Sequence, residues 1–123
     1  MSKTNGPVVI SQPAKLPHSG FSDVGAVKQP IGTPVPHVKR IGFEGEGLEK
    51  YRFGVWEATV GKYRRDVTDA EYCFFLSGKA TFTLDDGRSW AFGANDAVFF
   101  PADCIGVWNI AEPLRKAFVV IPA

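Results

Sequence analysis

From about Arg40 onward the chain is a series of short apolar segments separated by turn residues. The segments YRFGVWEATVGKYR, EYCFFLSG, KATFTLDDG and DAVFFP are rich in Val, Phe, Tyr, Trp or Thr, and turn-forming Gly, Pro, Asn or Asp residues separate the segments of this region. Strands that recur every ~8 to 12 residues, with turns between them, are typical of all-β sandwiches and barrels. The pattern therefore predicts one all-β barrel domain over residues 40–123.

The clearest hairpin is the segment TFTLDDGRSWAF. Side chains alternate between the two faces of a strand, so Phe82 and Leu84 share one face. Trp90 and Phe92 pack on the same side across the turn. The Asp-Gly pair at residues 86–87 suits the two positive-φ positions of a type I′ turn, and we expect that turn here.

A possible helix start precedes this hairpin. Thr68 and Glu71 match the capping box that opens many helices. The segment that follows, YCFFLSG, lacks helical periodicity and ends in Gly after seven residues. A helix that short is marginal, whereas a buried strand fits the composition. We therefore predict a strand rather than a helix at residues 71–78.

The first part of the chain has a different composition. Six of the nine prolines fall within the first 36 residues, with glycines interspersed. Proline fixes φ and removes a backbone donor, which excludes regular helices and central strands. Residues 1–39 are predicted to form an extended arm that lies on the surface or on a neighbouring subunit. The short PVVI stretch at residues 7–10 suits pairing at a sheet edge.

The charge and the apolar content exclude several classes of function. A formal net charge of +1 gives no electrostatic footprint for nucleic acid or for an acidic membrane. No apolar run approaches the roughly 18 residues of a membrane span, and none resembles a secretory signal. We expect a cytoplasmic protein with a small-molecule ligand and no nucleic-acid or membrane partner. Cys73 and Cys104 lack the CxxC spacing and are expected to be free thiols.

Two motifs in the second half of the chain resemble those of the cupin superfamily. Glu71 followed by Gly78 resembles the end of the first cupin motif, and NDAVFFPAD at residues 95–103 resembles the start of the second. Residues 52–121 are similar to small single-domain cupins related to ureidoglycine aminohydrolase and to the ethanolamine-utilisation cupin. The resemblance implies a double-stranded β-helix, or jelly-roll barrel, that encloses a cavity and pairs as a homodimer. We expect the arms to be exchanged between the two subunits.

The metal ligands of the cupin pattern are missing from both motifs. Metal-binding cupins place two histidines shortly before the glutamate and a third in the second motif. The residues at these positions are Arg64 and Asp66 or Arg65 and Val67, and Gly106. The only histidines, His18 and His37, lie in the arm. A catalytic metal needs about three protein ligands, so we predict no metal and no cofactor, unless non-histidine ligands or a partner's arm supply them.

Without a metal, Glu71 is a lone carboxylate facing an aromatic cavity. Burying it in its ionised form is costly, so either its pKa rises or it acquires a cation or a donor. Lys116 interrupts an apolar strand and is the preferred cation, with Arg64 as the alternative. Glu57 is a second candidate acid, because two acids in one apolar cavity acquire separated pKa values that suit acid/base catalysis. The alternatives are a structural ion pair at Glu71 and a surface position for Glu57.

The catalytic candidates are therefore Glu71, Glu57 and Lys116. The ligand-binding candidates are Trp56, Tyr63, Arg64, Cys73 and Trp108. Lys116, Phe118 and Val120 share one face of their strand, although alternation alone does not say which face lines the cavity. Core packing is the competing interpretation for both tryptophans and for the thiol.

Three functions fit these residues. The first is an enzyme that binds a small polar metabolite and uses metal-independent acid/base chemistry of the hydrolase or isomerase type. The second is a non-catalytic binding or accessory homodimer. The third is a structural dimer whose cavity is filled by side chains such as Phe100 and Trp108. Ureidoglycine chemistry in the relatives depends on a metal set that this chain lacks, so that reaction is not transferred.

Overall fold

The computed structural model describes residues 6–43 and 47–122, in which it forms nine β-strands and two single-turn 3-10 helices. The strands are β1 (Ser22–Ala26), β2 (Pro30–Ile31), β3 (His37–Gly42), β4 (Arg52–Ala58), β5 (Gly61–Arg65), β6 (Ala70–Leu84), β7 (Ser89–Gly93), β8 (Ala97–Phe100) and β9 (Gly106–Ile121). The predicted all-β class is confirmed. Within the described ranges, no helix is long and apolar enough to cross a membrane.

The two longest strands, β6 and β9, connect the two layers of the barrel. They pair antiparallel along their lengths. The C-terminal half of β9 pairs with β4, and its N-terminal half pairs with β5. The two halves of β6 pair in the same way with β8 and β7. One layer is therefore β1-β3-β4-β9-β6-β8 and the other is β2-β5-β9-β6-β7, which is the predicted jelly-roll arrangement.

Both long strands bend where the two layers diverge. The register between β6 and β9 shifts at three points between Phe75 and Ala80. Gly78 lies at the centre of this region with φ of 94°, a backbone conformation that residues other than glycine rarely adopt. A Cβ atom at Gly78 would also collide with the carbonyl oxygen of Pro113. Glycine is therefore required where β6 crosses close to β9.

An aromatic cluster fills the barrel interior next to the bend. Its rings have centroid distances of 5.3–6.1 Å, and most pairs meet edge to face. The members of the cluster are Phe75, Phe82, Phe92, Phe100 and Trp108. Such pairs add to the stabilisation that comes from burying the rings. This part of the interior is therefore filled by side chains.

The hairpin between β6 and β7 has a longer loop than predicted. The Leu84 N–H donates to the Arg88 carbonyl at 2.9 Å, and the Gly87 N–H donates to the Leu84 carbonyl at 3.0 Å. Of the loop residues 85–87, only Gly87 has a positive φ. The loop therefore has three residues and ends on a left-handed glycine, so the type I′ prediction was wrong. Asp85 is the additional turn residue that makes the longer loop possible.

The proline-rich region contributes edge strands to the barrel. β1 pairs antiparallel with β3, and β2 pairs with β5. The boundary predicted after residue 39 lies inside β3. Residues 7–10 form no strand in the structure, so the sheet-edge pairing expected there is not found.

Residues 13–21 of the arm lie against the outer face of their own chain. Arg115 Nη1 donates to the carbonyl oxygens of Pro13, Ala14 and Leu16 at 3.1, 3.3 and 2.8 Å. The guanidinium carbon lies 4.7 Å from the ring centroid of Phe21. The Arg115 side chain is only 6% exposed, so one buried arginine anchors this segment. Arm exchange between subunits stays a prediction.

Gly78 and Gly87 offer a matched test of the bend. Both have positive φ, but a Cβ atom at Gly87 meets nothing within 4 Å. We expect Gly87→Ala to lower the free energy of unfolding by about 1–2 kcal/mol through backbone strain alone. Gly78→Ala adds a backbone collision and should cost clearly more. Urea denaturation of both variants measures the difference, and equal losses would contradict the close crossing at Gly78.

Candidate functional site

Glu71 is held between two cations inside the barrel. Its Oε1 accepts a hydrogen bond from Arg65 Nη2 at 3.1 Å, and its Oε2 lies 2.7 Å from Lys116 Nζ. The three side chains are 8%, 3% and 6% exposed, respectively. Each carboxylate oxygen therefore has its own cation, in a place from which water is largely excluded.

Strand alternation explains how three separate strands bring these groups together. Glu71 on β6, Lys116 on β9 and Arg65 on β5 are all buried positions whose side chains point into the barrel. Lys116 lies opposite Phe75 in the β6–β9 ladder, so both belong to the inner face. The face that carries Lys116, Phe118 and Val120 is therefore the one that lines the cavity.

Aromatic rings and a backbone oxygen support the two cations. Lys116 Nζ lies 4.6 Å from the ring centroid of Trp56 and 5.9 Å from that of Trp108. The Arg65 guanidinium lies 4.5 Å from the ring centroid of Phe100 and donates to the Cys104 carbonyl at 2.8 Å. Cation–π contacts of this kind partly replace the hydration that a buried cation loses.

The cations decide the ionisation of Glu71. Burial alone would raise the pKa of this carboxyl, but the charges and hydrogen bonds of Lys116 and Arg65 lower it, and the net pKa is below the usual range. Glu71 is therefore ionised at neutral pH. A carboxylate in this state has no proton to donate, and both of its oxygens are already engaged.

The neighbouring thiol and phenol remain protonated. Burial raises the pKa of the Cys73 thiol to about 11, although the charges of Lys116 and Arg65 oppose the shift. Burial likewise raises the pKa of the Tyr63 phenol above its usual value. Since the thiolate is the nucleophilic form of cysteine, Cys73 is unreactive here.

A cavity of about 380 Å³ opens beside the Arg65–Glu71–Lys116 cluster. Trp56, Tyr63 and Trp108 form part of its wall, and residues 24–29 cross its rim. Six basic side chains line it, against two acidic ones. They are Lys28, Arg40, Arg52, Arg64, Arg65 and Lys116, with Asp66 and Glu71. The whole chain has a net charge of only +1, so the cavity concentrates positive charge.

The structure replaces Arg64 with Arg65 as the second cation of Glu71. Arg64 instead donates two hydrogen bonds, of 3.0 and 2.8 Å, to the exposed carboxylate of Asp85 in the loop between β6 and β7. Alternation along β5 carries the missed signal: Tyr63, a ligand-binding candidate, shares its face of the strand with Arg65 and not with Arg64. Cys73 is buried, as alternation from Glu71 predicts, but it does not line the cavity.

Glu57 lies on the other side of the sheet from Glu71. In the β4–β9 ladder Trp56 faces Lys116, whereas Glu57 faces Arg115. Glu57 Oε2 accepts from Arg115 Nη2 at 2.8 Å, and its Oε1 lies 2.8 Å from His18 Nδ1. The expectation that the two acids share one apolar cavity is therefore corrected, because adjacent residues of a strand point to opposite faces.

Glu57 belongs to a separate cavity between the arm and the outer face of the barrel. This outer cavity measures about 440 Å³, and its polar lining includes His18, His37 and Lys39. Burial would raise the pKa of Glu57, but hydrogen bonds from His18 and Arg115 and their charges make the net pKa lower than usual. Both histidines of the chain are thus outside the barrel.

The described side chains do not fit a metal ion at Glu71. Within residues 6–43 and 47–122, no group of three or more His, Cys, Asp or Glu side chains is placed to hold one. Both oxygens of Glu71 are engaged by protein cations, and His18 and His37 line the outer cavity.

A comparison of families gives one match: the EutQ-like cupin domain, over residues 45–118. No curated protein matches the chain.

Solved structures share the fold. A DUF861 family protein of unknown function from Pseudomonas syringae has a TM-score of 0.71 and 20% identity over 82% of this chain, which spans only 44% of that protein. The Clostridium difficile EutQ protein has a TM-score of 0.63 and 16% identity. The alignment covers 79% of this chain and 82% of the EutQ protein. A Thermotoga maritima DUF861 protein is 29% identical over 68% of this chain and 99% of its own, with a TM-score of 0.54.

Removing the carboxylate should destabilise the barrel. Glu71→Gln leaves two buried cations without their counter-charge, and we expect a loss of about 3–5 kcal/mol in the free energy of unfolding. Lys116→Met, which leaves Glu71 paired with Arg65, should lose less. Urea denaturation at neutral pH measures both losses.

The ion pairs of Glu71 also make the stability of the fold depend on pH, with a defined sign. The folded-state pKa of Glu71 is lowered, so its contribution to stability is complete above the unfolded value of about 4.3 and is lost as the pH falls through the folded value. Acid should therefore reduce the stability of the native chain more steeply than that of Glu71→Gln. Parallel pH profiles would show that Glu71 is not held ionised by its partners.

Proposed function

The chain belongs to the family of EutQ-like cupin domains, and we propose that it binds a small anionic metabolite in the barrel cavity without a metal ion. The observation that carries the proposal is the excess of basic side chains around the cavity. Arg52 and Arg64 pair with Asp69 and Asp85, and the remaining lining has four cations against two carboxylates. Charges in a confined, partly apolar space act more strongly than in open water. An anion therefore gains more there than a neutral molecule of the same size.

Lys116 and Arg65 are the proposed anchors at the base of the cavity. Together with Glu71 they carry a net positive charge, since two cations face one carboxylate. Glu71 fixes the position of both cations before a ligand arrives, as the short distance of 2.7 Å to Lys116 Nζ indicates. An ammonium group has three donors, of which Glu71 accepts one, and the others can bind a ligand in the cavity that Lys116 lines.

The ionisation of the site favours binding over proton transfer. General acid/base catalysis works best with a group whose pKa lies near the operating pH. The pKa of Glu71 is below its usual range, and the pKa of Cys73 is raised to about 11. The predicted acid/base activity on the same ligand, and the catalytic roles of Glu57 and Lys116, therefore have less support than a binding or accessory function.

The proposal is tested by a titration with small anions and their neutral counterparts. Isothermal titration should detect binding of small carboxylates or inorganic phosphate, but not of the matching amides. Lys116→Met should weaken anion binding by roughly tenfold or more, because hydrogen bonds to charged groups contribute about 1.5–3 kcal/mol. Lys79→Met is the control, since Lys79 is 71% exposed and pairs with Glu112 at the surface.

Two further measurements separate a lost site from a lost fold. Circular dichroism verifies that Lys116→Met is folded, and the affinity of the native chain should fall as salt screens the charges. Wild-type affinity in folded Lys116→Met, or no binding of any anion to the native chain, would refute the proposal.

We also propose that two copies pair through the outer face of β6, β8 and β9. Tyr72 is 48% exposed, and its cross-strand neighbours Phe99 and Val119 are 54% and 37% exposed. A contiguous exposed apolar patch is typical of an interaction surface. A two-fold homodimer buries the same patch of both copies at once. Exchanged arms would make their contacts to Arg115 across this dimer.

A charge inside the patch should separate the copies. We expect Tyr72→Arg to halve the mass measured by light scattering, because two buried arginines would face an apolar surface. Tyr51→Arg is the control, since Tyr51 is 56% exposed and precedes β4. A native chain that is monomeric, or a dimer unaffected by Tyr72→Arg, would contradict this interface.

A further inference from the structure

Three side chains form a row across neighbouring strands at the cavity. Arg40 on β3 lies opposite Trp56 on β4, and Trp56 lies opposite Lys116 on β9. All three line the same cavity, so the row faces the barrel interior. Neighbouring strands are about 4.8 Å apart. The backbones at Arg40 and Lys116 are therefore about 10 Å apart, with the Trp56 ring between them.

Arg40 differs from the other arginines at the rim. Arg52 pairs with Asp69 at 3.0 Å, and Arg64 pairs with Asp85 at 2.8 Å. Among the described residues, Arg40 has neither an ion pair nor a side-chain hydrogen bond. Within the part of the chain that the structure describes, the Arg40 side chain at this cavity is therefore unpaired.

We propose that Arg40 determines specificity at the barrel site, and that the ligand is a small carboxylate whose charged group binds Arg40 and whose planar body lies beside Trp56. This inference rests on the proposed anion-binding function and adds the ligand's chemical class. A guanidinium matches a carboxylate with two parallel hydrogen bonds, and an indole ring offers a flat surface for a planar group. Lys116 Nζ lies 4.6 Å from the centroid of the same ring.

The cavity also limits the size of the ligand. A volume of about 380 Å³ is near the lower end of the range for small-molecule sites. A tetrahedral anion such as phosphate meets the same charges, but it lacks a flat face for Trp56. The row of side chains therefore favours a planar carboxylate over phosphate.

Arg40 and Lys39 form a matched pair for the test. They are consecutive residues of β3 with opposite orientations, because Lys39 faces Glu57 across the strands and lines the outer cavity. Arg40→Gln and Lys39→Gln each remove one positive charge from an exposed side chain. Neither change is expected to unfold the barrel, which thermal denaturation verifies. Acetate, pyruvate, benzoate, their amides and inorganic phosphate are titrated into both variants and into the native chain, with backbone amide NMR shifts as the readout.

The expected result is that the carboxylates bind the native chain more tightly than phosphate and that the amides do not bind. Arg40→Gln should weaken carboxylate binding roughly tenfold, and Lys39→Gln should leave it unchanged. Equal effects of the two variants, or phosphate binding as tight as carboxylate binding, would overturn this inference. The proposed anion-binding function would still stand if Lys116→Met weakens binding as expected. No binding of any anion to the native chain would refute the proposed function and this inference together.

Discussion

A single buried carboxylate sets the conditions for the whole barrel interior. Glu71 is 8% exposed as a side chain and yet ionised, a state that is costly unless cations compensate for it. The chain supplies these cations from two other strands, as Arg65 and Lys116. The cations in turn require aromatic rings and a backbone oxygen around them, which Trp56 and Phe100 help to provide. Much of the site can be understood as the consequence of keeping one negative charge away from water.

This arrangement changes what a cupin-type barrel can offer a ligand. In metal-binding members the glutamate contributes to an ion site, whereas here Lys116 and Arg65 satisfy it from within the chain. The cluster retains one uncompensated positive charge, and the basic rim adds to it. Binding energy can thus come from fixed protein charges, which require no metal to be recruited. The affinity of such a site depends on how rigidly the carboxylate holds its two partners.

The alternation of side chains made much of the fold and part of the site predictable. Together with the regular spacing of strands and turns it predicted the all-β class, and it predicted the burial of Cys73. The pairing of Glu71 with Lys116 was predicted on another ground, because Lys116 is a charge within an apolar strand. Alternation was not applied to β5 when Arg64 was considered as a cation for Glu71. The neighbouring Arg65 is the residue that points inward. Glu57 was a candidate because two acids in one apolar cavity suit acid/base catalysis, with a surface position as the alternative. Residue type alone does not show that the strand turns Glu57 outward. The contribution of the proline-rich region to two edge strands depends on tertiary pairing that local composition does not encode.

Arg115 and Lys116 are consecutive residues that point to opposite faces of β9. Arg115 anchors the arm on the outer face, and Lys116 lines the cavity on the inner face. Each can change by substitution without disturbing the other, so the two faces can diverge separately during evolution. A single-residue insertion or deletion in this part of β9 would exchange their orientations and abolish both duties at once. Descendants of this chain should therefore change the residues of one face independently of the other, while the spacing of residues along β9 stays fixed.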